Sequence, residues 1–224
     1  MRTVTVVIPA YNEEERIAAT IQAIKSLPLA VQIIVVNDGS TDKTAQVART
    51  QGVQLLDINP NRGKGGAMNA AVPLLDTDIA AFIDGDLGAT AAEAYKIIEP
   101  VMNGQCDLCI AAFPPPVKKG GFGLVKGTAA RAIQKAGGIQ VTAPLSGQRA
   151  MTREVLLAVT PFEEAYGVEL GMSIKALRQG FRLMEVQTSM RHNETGRDLR
   201  SFIHRGRQYV DVLRVIRKVS RGNI

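Results

Sequence analysis

The feature that most constrains this chain is an alternation. Short β-branched runs are each ended by a polar cluster and then followed by a helical pattern. Thr3-Val4-Thr5-Val6-Val7-Ile8 reads as a strand buried on both faces, closed by Pro9. Asn12 is placed to cap a helix, with Glu15 completing a capping box, and Ile17, Ile21 and Ile24 share one helical face. Gln32–Val36 is a second strand, followed by a helix from about Lys43 to Arg49. Val53–Ile58 is a third, after which Asn59–Gly66 forms a loop that opens a helix through Ala67–Ala71. Ile79–Ile83 is a fourth, ending on Asp84-Gly85-Asp86. Four strand–helix units in series predict an α/β fold, a mostly parallel sheet flanked by helices. Such sheets bind ligands beyond the carboxyl ends of their strands. Every polar cluster here follows a strand, so Tyr11, Asn12, Asp38, Ser40, Arg62, Lys64, Asp84 and Asp86 are expected on one rim.

The second half is less regular. Asp107–Phe113 reads as a strand. The prolines 114–116 and the Lys/Gly-rich residues after them predict a mobile loop over 114–126. Helices are expected near Thr128–Ala136 and Ala165–Gln179, and a late strand at Arg182–Val186. From Leu199 the chain regains helical periodicity, with Leu199, Phe202, Ile203, Val210, Leu213 and Ile216 on one side and arginines accumulating toward the end. We expect one domain over 1–224: a nucleotide-binding half at 1–112, an acceptor-side half at 113–198 and a basic, amphipathic C-terminal helix at 199–224.

With 46% hydrophobic and 21% charged residues the chain is globular rather than disordered. No apolar run approaches the roughly 20 residues that span a bilayer, and the start does not resemble a signal peptide. A cytoplasmic location is expected, with peripheral contact at the inner membrane face open to the basic end. The net charge of +6 permits an anionic partner. Aromatic residues at only 4% argue against nucleic acid, whose stacking modules need them. Cys106 and Cys109 lack the further ligands of a zinc site and read as reduced core thiols on opposite strand faces.

The rim residues fit a nucleotide diphosphate. Tyr11 and Asp38 offer a wall and hydrogen bonds to a base. Arg62, Lys64 and the glycines before a helix offer charge and N–H groups to phosphates. Asp84 and Asp86, two like charges that repel when close, offer hard oxygen ligands to Mg²⁺ or Mn²⁺. Neither a Walker motif nor the dinucleotide fingerprint is present. Asp38 also fits a turn cap, and Lys64 a solvated helix end.

The strings "VVIPAYNEE", "VVNDGSTDKT", "NRGKGGAMNAA" and "FIDGDLG", in this order, resemble the family 2 type glycosyltransferases of the GT-A fold, which use an Asp-x-Asp-type metal site. "PLSGQRAMTREVL" and "AYGVELGMSIKALRQG" are similar to strings in polyprenyl-phosphate glycosyltransferases and glucosyl-3-phosphoglycerate synthases. The resemblance implies Pro9, Ala10, Tyr11 and Glu13 in a nucleoside-binding loop and Asp38 at the base. It implies Lys64 at the donor, Asp84 near its ribose or sugar, and Asp86 as the principal metal ligand with His192 as the second. Arg62, by its charge, and Gly85, by letting the backbone turn tightly where the donor comes close, join the donor side from their own chemistry. Gly147, Gln148, Arg149 and Glu169 fall where acceptor or donor-sugar contacts are expected.

The activity so implied is metal-dependent transfer of a sugar from a nucleotide sugar, with Asp86, Lys64 and Glu169 as catalytic candidates. UDP is favoured and GDP is open. The acceptor is either polyprenyl phosphate or a small phosphorylated acid such as 3-phosphoglycerate. Inverting transfer needs a base, for which Glu169 has the right chemistry, and retaining transfer needs none. A sugar-1-phosphate nucleotidyltransferase is the rival enzyme, disfavoured by Tyr-Asn-Glu-Glu after the first strand. A non-catalytic nucleotide-sugar-binding module is the other alternative. The basic C-terminal helix fits a membrane surface, a phosphorylated acid, a homodimer interface or a packed helix with a solvated face.

Overall fold

The computed structural model describes residues 2–114, 123–163, 167–191 and, near the end, 213, 214, 216 and 217. Seven strands form one sheet: β1 (Val4–Ala10), β2 (Gln32–Asp38), β3 (Gln54–Ile58), β4 (Ile79–Phe82), β5 (Leu108–Ala112), β6 (Arg149–Thr152) and β7 (Leu183–Gln187). Their order is β3-β2-β1-β4-β6-β5-β7. β6 alone runs against its neighbours β4 and β5, and the other pairings are parallel.

Strand alternation sorts side chains into two layers. Val4, Val6 and Ile8 of β1, Ile33 and Val35 of β2, and Ile79 and Ala81 of β4 face one apolar cluster. That cluster is covered by Ile17, Ile21 and Ile24 of helix α1 (Ile17–Lys25) and by Ile97, Ile98 and Val101 of α4 (Tyr95–Met102). Val7, Ile34, Val36, Ala80 and Phe82 face the other cluster, under α3 (Gly63–Ala71), α6 (Arg153–Val159) and α7 (Val168–Arg178). Two-sided burial explains why these strands read as continuous apolar runs rather than alternating ones. The remaining helices are α2 (Thr44–Thr50) and α5 (Gly123–Gly137).

Several expectations are corrected. Asn12 does not cap α1: it adopts φ 57°, and α1 starts at Ile17 after a turn closed on the Glu13 carbonyl. The Asn12 side chain instead accepts the Thr41 N–H (2.8 Å), tying the loop after β1 to the loop after β2. No strand was expected at Arg149–Thr152, whose single polar–apolar turnover is too short to carry a period. Cys106 and Cys109 are both free and buried, but they belong to the same apolar cluster. The alternation rule fails there because β5 begins only at Leu108. α5 begins at Gly123, inside the loop expected over 114–126, whose residues 115–122 lie outside the described residues. Its glycines read as breakers, but burial of Val125, Ala129 and Ile133 against Leu170 and Ile174 of α7 overrides that preference. Of the C-terminal helix, most lies outside the described residues, and Ile216 packs on this third cluster. Among the described residues no helix is long and apolar enough to cross a membrane.

Candidate active site

A cleft of about 500 Å³ opens at the carboxyl ends of β1, β2 and β4. It is lined by Pro9, Ala10, Tyr11 and Glu13 after β1, and by Asp38 at the end of β2. Lys64 at the start of α3 and Asp84, Gly85 and Asp86 after β4 complete these walls. The strands' common direction delivers them together, as the alternation of the sequence implied. Arg62 is exposed and does not line the cleft, which Asn61, Gly63 and Ala67 line instead.

Asp38 is buried and has two jobs. It lines the cleft, and its Oδ1 accepts the Arg62 backbone N–H at 2.7 Å while its carbonyl accepts from Asn61 Nδ2 at 2.7 Å. It thus fixes the loop that opens α3. The Asp84–Gly88 turn is held from below by Thr20 of α1, a fully buried residue. The Thr20 hydroxyl donates to the Gly85 carbonyl (2.8 Å) and accepts the Gly88 N–H (2.9 Å). Sequence reasoning missed Thr20. Its signal was a lone hydroxyl among the isoleucines of a buried helix face. Gly85 sits close against the loop after β1: a Cβ would stand 3.3 Å from the Ala10 Cβ, a tight contact, and 3.5 Å from the Glu13 Cγ.

Lys64 is the electrostatic centre. Its Nζ lies 2.5 Å from Asp84 Oδ1 and 3.2 Å from Glu169 Oε1. Burial works against its charge, but the two carboxylates outweigh it and hold the ammonium above its ordinary range. Glu169 arrives on α7 because Gly65 of α3 packs directly on the Glu163 backbone and on the Val168 side chain. Asn69 clamps the same segment, donating to the Phe162 carbonyl (3.0 Å) and accepting its N–H (2.7 Å).

Of the residues expected at an acceptor or sugar, Gly147 and Glu169 stand at this network. A Cβ on Gly147 would stand 2.8 Å from Asp84 Oδ2 and overlap the Lys64 ammonium. Gln148 and Arg149 are fully buried. Gln148 bonds Asp84. Arg149 donates to the carbonyls of Ser146 (2.8 Å) and Pro144 (3.1 Å) and to the Ser173 hydroxyl (2.7 Å). Burial pulls its guanidinium down to about 10, with the Glu169 charge acting the other way. Its hydrogen bonds among the described residues all go to the protein itself.

Residues 5–156 match the sequence model of glycosyl transferase family 2. The chain belongs to that family. It is 33% identical over 195 residues to the glucosyl-3-phosphoglycerate synthase of Mycolicibacterium smegmatis, covering 77% of this chain and 63% of that one. It is 28% identical over 200 residues to the glycosyltransferase AglJ of Haloferax volcanii, covering 87% and 65%. The chain therefore spans a little under two thirds of the length of these two curated relatives. The fold is similar to that of the Mycobacterium tuberculosis glucosyl-3-phosphoglycerate synthase in complex with Mn²⁺, UDP-glucose and phosphoglyceric acid. The TM-score is 0.77 at 26% identity, covering 96% of this chain and 80% of that one. The structure of that synthase with Mg²⁺ and UDP gives a TM-score of 0.76 at 27% identity, covering 95% and 78%.

The cleft of this family 2 chain suits a hard divalent cation. The Glu13 carboxyl is pushed up to about 7, first by burial and then by the charges of Asp86 and Asp84. Burial is the larger cause, and the two aspartates add to it. Among the described residues no group of three or more His, Cys, Asp or Glu side chains is arranged to hold a metal. Asp84 and Asp86 at the cleft offer hard oxygen donors of the kind Mg²⁺ or Mn²⁺ takes together with phosphate oxygens and water. Asp86 lies at the cleft, whereas His192 lies outside the described residues.

Proposed function

We propose that this chain transfers a sugar, with glucose the first candidate, from a UDP-sugar to a hydroxyl of a small phosphorylated acid of the 3-phosphoglycerate type. The observation that carries the reading is the cleft, where carboxylates, an ordered lysine and a helix amino end meet at the strands' carboxyl ends. The likeness to synthases solved with UDP-glucose, Mn²⁺ and phosphoglyceric acid supports the choice of donor and acceptor.

In this reading Tyr11, half exposed at the cleft mouth, and Asp38 bind the base. The amino end of α3, where Gly63 and Lys64 line the cleft, receives the diphosphate through its N–H groups. Asp86, with His192 as the second ligand that the motif implies, would hold a divalent ion that supplies positive charge to the leaving diphosphate. Lys64 already lies between two carboxylates, so its work is to hold Asp84 and Glu169 in place as hydrogen-bond acceptors for sugar hydroxyls. Residues 1–112 then form the donor half, and 113–198 the acceptor side.

The test is nucleotide diphosphate release from a panel of UDP- and GDP-sugars with Mn²⁺, in the presence of 3-phosphoglycerate or of polyprenyl phosphate. Release that requires a UDP-sugar and 3-phosphoglycerate is expected. Release only with the lipid overturns the acceptor. Turnover of a nucleoside triphosphate with a sugar 1-phosphate overturns the reaction class. Donor binding without release identifies a binding module.

A further inference from the structure

Gln148 makes a two-ended contact with Asp84 beside the cleft and does not line it. It is fully buried, immediately before β6. Its Oε1 accepts the backbone N–H of Asp84 at 2.8 Å, and its Nε2 donates to Asp84 Oδ2 at 2.6 Å. The two ends of one amide thus engage the two polar faces of one residue, which leaves the amide a single orientation. Lys64 meets the other carboxylate oxygen, Oδ1, at 2.5 Å. Donors from two separate elements therefore grip both oxygens of Asp84. Its carboxylate cannot turn without breaking a charge-assisted hydrogen bond.

The clamp has its own support. Arg149 stitches the segment 144–149 to itself and to Ser173 of α7 through three hydrogen bonds. Ser173 in turn donates to the Glu169 carbonyl at 3.0 Å. On the other side, the absence of a side chain at Gly147 lets the Asp84 carboxylate approach the backbone. Gln148 is thus held from behind by one network and presents its amide to another.

We infer that Gln148 is a positioning residue: it acts through Asp84, fixing that carboxylate toward the ribose and sugar of the donor. This rests on the function proposed above. It also makes the two aspartates unequal for a stated reason. Asp84 is oriented by Gln148 and Lys64, and Asp86, which Gln148 does not touch, serves the cation.

The experiment is a double-mutant cycle on the full chain, reading affinity for UDP-glucose with Mn²⁺ by calorimetry. Gln148→Met keeps the length of the side chain and removes both hydrogen bonds. It should weaken binding roughly ten- to a hundredfold, the size expected for unpairing a charge-assisted contact. In an Asp84→Ala background the same substitution should change affinity less than about twofold, since residues acting through one another do not add. Gln148→Asn keeps the amide but draws it back by a methylene. It should lose about threefold or more, and it replaces the Met variant if that variant does not fold. Equal losses in both backgrounds, or none in the first, overturn the inference while leaving the function standing. A wild-type chain that binds neither UDP- nor GDP-sugars with Mn²⁺ overturns both.

Discussion

The two sides of the cleft are built by strands of opposite direction. β1, β2 and β4 arrive by their carboxyl ends and deliver Tyr11, Asp38 and the Asp84–Asp86 turn. β6 runs the other way, pairing Arg149 with Phe82 and Thr152 with Ile79, so the residues before it, Gly147 and Gln148, reach the same rim. The first side lines the cleft. On the second side Gln148 and Arg149 are wholly enclosed, and Glu169 is 9% exposed. In the proposed reading one side meets the ligand, and much of the other fixes the carboxylates that do so.

That division can be broken by substitution. The largest effect belongs to the lining side. Asp86→Ala should lower Mn²⁺-dependent turnover by about a hundredfold or more, the scale of losing one preorganised electrostatic contact. A loss of less than about threefold would move the cation elsewhere. Next is Gly147→Ala, whose added methyl must displace Lys64 or the Asp84 carboxylate. Turnover should fall about tenfold or more while the melting temperature moves little, because an active site loses rate through small misplacements. Unchanged turnover would show that the network tolerates displacement.

Arg149→Met tests the enclosed side. It orphans the Pro144 and Ser146 carbonyls and should cost about 2 kcal/mol in urea unfolding, with donor affinity changed only a few-fold. Lost affinity at full stability would return Arg149 to the ligand, where the sequence had put it. The smallest effect is a pH signature at Glu13, whose folded carboxyl is raised from 4.5 to about 7. The folded state binds that proton more tightly than the unfolded state does. Stability should therefore fall as pH rises from about 4.5 to about 7 and level off above. Glu13→Gln does not titrate, so its metal-free stability relative to wild type should grow across that window. A constant difference would show that neither burial nor the charges of Asp86 and Asp84 raise the Glu13 carboxyl.

Much of the lining side was legible in the sequence. β-branched runs ending in polar clusters place Tyr11, Asp38, Lys64 and the Asp-Gly-Asp turn on one rim by geometry alone, and the cleft holds all of them. Arg62 was expected with them, but the loop uses its backbone N–H, bonded to Asp38, and leaves its side chain exposed. On the enclosed side, the motif strings placed Gly147 and Glu169 near the site and named Gln148 and Arg149 with them, but gave no sign that both side chains are enclosed. Their place in the motif strings suggested a ligand. The structure supplies protein partners instead: Asp84 for Gln148, and Ser146, Pro144 and Ser173 for Arg149.

The sequence by itself determined what local chemistry dictates: the layered α/β architecture, the direction of the first four strands and the rim on which their polar ends meet. Only the tertiary structure decided that β6 is antiparallel, that Thr20 holds the Asp84–Gly88 turn from beneath, and that Lys64 joins Asp84 to Glu169. The physical reason is sequence distance. Asp84 and Gln148 are 64 positions apart, and their hydrogen bonds exist only after β4 and β6 have paired. Periodicity records which face of an element is buried, but it holds no record of which distant polar group will satisfy a buried amide.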